Sequence, residues 1–240
     1  VIVVGSINQD VTVTVDRFPS PGETLSGTSL TYSLGGKGAN QAAAAAHSGA
    51  TVVFVGALGS DPSGQRLRCD LASHGVDVTH LREADGPSGT ALITVAASGE
   101  NTIILDAGAN ATVSITPAKA SLFPAPSDIV VLQAEIPERA NAEALAWAHS
   151  FGARVLLNLA PARPTDPALM ARTDILVVNE TEAGLTLGMP APAAPMEAIG
   201  VARALRGLGP KHVMVTLGAD GAAWASGSEA GHCPALTLGE

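Results

Sequence analysis

The chain opens on a short apolar run, VIVVG at 1–5, which reads as a strand buried on both faces and ending in glycine. VTVTV at 11–15 then alternates strictly, so one of its faces meets water. The turn FPSPGE follows, and 28–34 predicts a second half-exposed strand. At 33–49, SLGGKGANQAAAAAHSG breaks the alternation: glycines crowd one lysine directly before five alanines. Glycine permits close backbone approach, and alanine is the strongest helix former, so this is a loop feeding a helix N-terminus. Free N–H groups and the helix dipole there favour an oxygen-rich ligand, and Lys37 adds a positive point charge. A strand at 51–56 and a helix from about Pro62, capped by Ser60 or Asp61, come next.

Residues 88–106, SGTALITVAASGENTIILD, predict a β-hairpin turning at SGEN. From Pro117 the rhythm changes. Apolar strands at 129–133, 154–158, 174–179 and 212–216 alternate with helices near 137–150, 180–187 and 196–208. Repeated βα units of this kind predict a parallel sheet with helices on both faces. The early wet-faced strands do not suit its centre and predict a small separate sheet. The expectation is a single α/β domain over 1–240, with a β lid from segments near 10–34 and 88–106.

Ligands of open α/β sheets sit beyond the carboxyl ends of the strands. There this sequence places Ser6, Asn8 and Asp10; Glu135; Asn179, Glu180 and Glu182; and Thr216 with Gly218. One such residue is ordinarily a turn or a cap, but four converging strand ends point to a shared site.

Composition narrows the partners. A formal charge of –9 without any basic run argues against nucleic acid and anionic membranes, and 3% aromatic residues leave few stacking platforms. No segment has the apolar length of a membrane span, and no secretory signal is present, so a cytoplasmic protein is expected. Cys69 and Cys233 lie far apart and read as reduced thiols, and the 6 histidines form no metal spacing. GGKGANQ is not a P-loop, since Gly38 rather than Ser or Thr follows Lys37. It is not a dinucleotide fingerprint either, because Gln41 takes the last glycine position and a wet strand precedes it.

GGKGANQAAAAAHSGATVVFVGALGSD closely resembles the first motif of the ribokinase, or PfkB-type, family of sugar kinases, through Gly35, Gly36, Gly38, Asn40, Ala42, Gly49 and Gly59. GSINQD, GENTIILDAGAN, NLAPA, NETE and VTLGADG resemble the same family in its order, over essentially the whole chain. The ordered set is specific where each motif alone is weak.

The resemblance implies a Rossmann-like parallel sheet with helices on both faces and a small β lid. It implies transfer of the γ-phosphate of ATP to the 5-hydroxyl of D-ribose or a similar sugar. Asn8, Asp10, Gly36, Lys37, Asn40 and Glu135 would bind the sugar. Asn179, Thr216, Gly218 and Gly221 would bind the nucleotide. Glu182 would organise Mg²⁺ accompanying ATP, through water. It further implies a homodimer through the lid and a possible monovalent cation such as K⁺. The family's Asp-Thr-x-Gly-Ala-Gly-Asp type stretch, which supplies the anion hole and the aspartate base, is expected beyond Glu240, as are the adenine pocket and the K⁺ site. No catalytic base is therefore named, and a start inside a strand without methionine suggests a piece of a longer protein. Another PfkB-type sugar or nucleoside kinase, and a catalytically incomplete sugar-binding relative, stand as alternatives.

Overall fold

A computed structural model of the chain describes residues 1–236. Contacts divide it into two compact units: Val1, Val3–Ala120 and Glu135–Pro137 form one, and Ile2, Ser121–Ala134 and the chain from Glu138 onward form the other.

The opening run is β1 (Ile2–Val4), fully buried, and in the first unit the alternating VTVTV lies within β2 (Asn8–Val15). β3 (Ser29–Gly35) leads into α1 (Lys37–His47), whose buried face is Gly38, Ala39 and Ala42. β4 (Val52–Gly59) runs past the expected end of its strand through two glycines. A Cβ on Gly56 would lie 2.6 Å from the Phe54 ring, and one on Gly59 would lie 2.3 Å from the Ser88 amide. The glycines are there for close backbone approach rather than to end the strand. α2 (Pro62–Ser73) starts with proline in its first turn, and Asp61 caps it by accepting from Gly64 N at 3.0 Å.

β5 (Val76–Ala84) is not announced by the sequence. It pairs in parallel with β4 and carries Asp77, His80, Arg82 and Glu83, so its polar content hides its strand character. The expected hairpin forms as β6 (Gly89–Ala96) and β7 (Asn101–Asp106).

The early strands assemble as a small four-stranded sheet in the order β3-β2-β6-β7, apart from β1, β4 and β5. Register places Ser33, Asp10, Ala91 and Leu105 in one cross-strand row and Tyr32, Val11, Leu92 and Ile104 in the next. Side chains alternate along strands, so the two rows face opposite sides.

In the second unit β8 (Ile129–Gln133), β9 (Arg154–Asn158), β10 (Ile175–Asn179) and β11 (His212–Thr216) run parallel in that order. Their helices are α3 (Glu138–Ser150), a short α4 (Pro167–Ala171), α5 (Glu180–Leu187) and α6 (Pro195–Arg206). The Val, Ile and Leu of these strands supply a buried core that includes Val130, Leu132, Val155, Leu157, Leu176, Val178, Val213 and Val215.

An antiparallel extension, β12 (Ala222–Ser226) and β13 (Glu229–Cys233), continues this sheet beyond β11, so it is parallel-dominated rather than wholly parallel. Alanine and glycine make these strands poor in β propensity, and pairing to β11 holds them.

Candidate active site

Ser6, in the loop between β1 and β2, carries its hydroxyl and its carbonyl toward the start of α1. Ser6 Oγ donates to Glu135 Oε2 at 2.7 Å. The same carboxylate oxygen accepts from Lys37 N at 3.0 Å, the first amide of α1. Gly38 N donates to Ser6 Oγ at 3.2 Å, and Ala39 N to the Ser6 carbonyl at 2.9 Å. The first three amides of α1 are thus taken by the protein itself, which corrects the expectation of free helix N–H groups awaiting a ligand. Glu135 is the internal anion at the positive end of the helix, and its Oε1 takes no part in these bonds.

The glycines are what permit this approach. Gly36 has φ 89°, and a Cβ there would lie 2.9 Å from both Asn8 N and Ile7 Cα. A Cβ on Gly38 would lie 2.7 Å from both Ser6 N and Ser6 O. Any side chain at 38 would push the helix start off the β1–β2 loop.

Asn8 is buried and Asp10 half-buried, on the same side of β2, since residues two apart share a face. Burial first, and then the nearby charge of Glu135, raise the Asp10 carboxyl above its ordinary value of 3.8. Lys37 is half-buried and Asn40 exposed. This unit therefore brings together Ser6, Asn8, Asp10, the Gly36–Lys37–Gly38 turn and Glu135.

One further residue joins it. Asn110, from the short 3₁₀ segment Gly108–Thr112, donates from Nδ2 to Asn8 Oδ1 at 2.7 Å. Its sequence signal was only its place in GENTIILDAGAN. On the opposite face of β2, Arg66 of α2 donates to Gln9 Oε1 at 2.7 Å and lies over the Tyr32 ring.

In the second unit Asn179 and Thr216 end neighbouring strands and pair in register. Asn179 caps α5 through a reciprocal box: Glu182 N donates to Asn179 Oδ1 at 2.8 Å, and Asn179 N to Glu182 Oε2 at 2.9 Å. Gly218 and Gly221, with φ of 53° and 90°, shape the turn after β11. A Cβ on Gly221 would lie 2.0 Å from Cys233 O, so only glycine passes there.

Of the histidines, His47 and His74 meet at 3.1 Å, and His149 contacts Asp174 at 2.9 Å. Among the described residues no group of three or more His, Cys, Asp or Glu could hold a metal, and both cysteines are free and exposed. No helix of the described residues is long and apolar enough to cross a membrane.

The family profile of pfkB family carbohydrate kinases matches residues 1–238, and the chain belongs to that family. Among similar proteins, the ribokinase of Haemophilus influenzae is 40% identical over 223 residues, 91% of this chain and 72% of that protein. The ribokinase of Bacillus subtilis is 38% identical over 233 residues, 95% of this chain and 75% of that protein. A solved structure of Arabidopsis thaliana ribokinase complexed with ribose and ATP superposes with a TM-score of 0.84 at 32% identity, covering 100% of this chain and 78% of that one.

Proposed function

We propose that the chain phosphorylates the 5-hydroxyl of D-ribose at the expense of ATP. The observation that carries the reading is the Ser6–Glu135–Lys37 clamp beside Asp10 and Asn8, in a chain 40% identical to a ribokinase. A sugar presents many hydroxyl donors, and two neighbouring carboxylates are matched acceptors. Asp10 and Glu135 accept from sugar hydroxyls; Lys37 donates; Asn8 and Asn40, whose amides carry both a donor and an acceptor, flank the ring; and Gly36 lets the loop approach it.

Asn179, Thr216, Gly218 and Gly221 serve the nucleotide. Glu182 suits a hydrated Mg²⁺: one carboxylate oxygen is committed to the helix cap, and the other would be left to hold the ion's water, as suits a cation that dehydrates reluctantly. When bound with ATP, Mg²⁺ would neutralise charge on the phosphates. The residues assigned here position the sugar and the nucleotide, and none is assigned as general base.

Two copies pack through the small sheet. Tyr32, Leu92 and Ile104 stand exposed along one cross-strand row, with Leu30 exposed on the same face, and an apolar face of this kind marks an association surface.

The test is ADP release with Mg²⁺-ATP, with and without D-ribose. Ribose-dependent release is expected. Release that follows another sugar or a nucleoside instead would identify a different kinase of the family. Saturable ribose binding without any release would identify a sugar-binding protein.

A further inference from the structure

We infer that Asn110 is a positioning residue that fixes the polarity of Asn8, so that Asn8 meets its ligand only as a hydrogen-bond donor. The inference rests on the sugar-site reading above and adds to it which kind of ligand atom Asn8 can recognise.

The argument starts from the backbone, whose donors and acceptors cannot exchange roles. Ile7 N donates to Asn110 Oδ1 at 3.0 Å, and Asn110 Nδ2 donates to Ile7 O at 3.1 Å. An amide N–H can face only the oxygen of the Asn110 side chain, and a carbonyl only its amine, so this pair of bonds sets the orientation of Asn110. The second hydrogen of Nδ2 then points to the Asn8 side chain at 2.7 Å, where it meets Oδ1. Turning Asn8 over would set two amines face to face, with a donor lacking an acceptor inside the protein. Asn8 and Asn110 are only 4% and 1% exposed, so water does not easily relieve that conflict. The amine end of Asn8 is the end not taken by Asn110.

Gly89 shows that the fold makes room for this lock. It pairs with Asn8 across β2 and β6, and a Cβ on it would lie 2.1 Å from Asn110 Nδ2 and 2.3 Å from Asn8 Oδ1. The site then has a defined polarity. Asp10 and Glu135 accept, while Asn8 donates. A hydroxyl between Asn8 and a carboxylate accepts from one and donates to the other, so its direction is set before it binds. A group that only donates, such as an ammonium at that carbon, finds no partner in Asn8.

Two measurements test this. Neutron diffraction on the unliganded protein is expected to place both deuterons of the Asn8 amide on the atom turned away from Asn110. Deuterons on the atom facing Asn110 would overturn the inference, whatever the substrate. The second measurement compares monodeoxy and monodeoxyfluoro riboses, because fluorine accepts weakly and never donates. At one carbon the fluoro sugar should bind about three-fold or more tightly than the deoxy sugar. That ratio should fall toward one in Asn8→Ala and in Asn110→Ala. A purely structural role for Asn110 would weaken both analogues alike and leave the ratio intact, and that result would sink the idea. If Asn110→Ala does not fold, the neutron map decides alone. If ribose does not bind the wild-type protein, the proposed function fails, and the polarity of Asn8 is again judged by the neutron map.

Discussion

At the scale of single residues, the site is a set of close approaches that a methyl group would spoil. A Cβ at Gly35 would lie 2.0 Å from Asp10 Oδ1 and 2.3 Å from Oδ2, against a side chain rather than backbone. Gly35→Ala should therefore move the Asp10 carboxylate and leave the fold intact. The expected result is a KM for ribose raised roughly ten-fold with Tm within about 2 °C of wild type. An unchanged KM would remove Asp10 from the sugar site.

In the proposed sugar site, Asp10 must be ionised to accept from a sugar hydroxyl without donating. Its carboxyl lies above the ordinary value, through burial and then the charge of Glu135, so ribose affinity should decline as pH falls through that raised value. Glu135→Gln removes the repelling charge, lowers the Asp10 carboxyl, and should shift the acid limb of the kcat/KM profile to lower pH. A limb that stays in place would assign it to another group.

At the scale of elements, two ties have separable consequences. Glu182 both closes the α5 capping box and is the proposed partner of hydrated Mg²⁺. Glu182→Gln keeps an oxygen for Asn179 N but loses the charge, whereas Glu182→Ala loses the cap as well. The glutamine variant should need more Mg²⁺ for half-maximal rate while staying within about 0.5 kcal/mol of wild-type stability, and the alanine variant should lose about 1 kcal/mol. Equal Mg²⁺ dependence in wild type and the glutamine variant would leave Glu182 as a cap only.

Asp174, just before β10, is buried and accepts from Lys211 Nζ at 2.6 Å, His149 Nε2 at 2.9 Å and Val155 N at 2.8 Å. Burial acts against its charge, but these bonds outweigh it and hold the carboxyl below its ordinary value of 3.8. A depressed carboxyl contributes stability above its unfolded value and loses it as pH falls through the folded one. Asp174→Asn should cost roughly 2 kcal/mol or more at pH 7, with a gap from wild type that narrows once pH drops below about 4. Denaturant melts at both pH values measure it, and a gap independent of pH would rule out the charge as its origin.

At the scale of the whole molecule, the exposed apolar row on the small sheet is the proposed contact between two copies. Ile104 is 68% exposed, so Ile104→Glu costs the monomer little and places a charge at the β7 end of the proposed contact. Sedimentation should find a dimer for wild type and a monomer of unchanged secondary structure for the variant. A wild-type monomer at micromolar concentration would end the proposal. Much of the fold was legible beforehand, because strict alternation in VTVTV and continuous apolar runs such as IVVLQ separate a half-wet sheet from a doubly buried one. β5, β12 and β13 were not legible, since charged or alanine-rich strands take their state from the neighbour they pair with.

The sequence by itself determined the order of elements, the separation of the small sheet from the parallel one, and a glycine-lined turn at the start of α1. These follow from period, propensity and steric freedom within a few residues. Only the tertiary structure decided what that turn holds. Glu135 reaches Ser6 across 129 residues and Lys37 across 98, and Asn110 reaches Asn8 across 102. No local pattern encodes such pairings. They arise when the β1–β2 loop, the helix start and the segment after β8 are brought together, and buried polar groups must then find partners inside the protein.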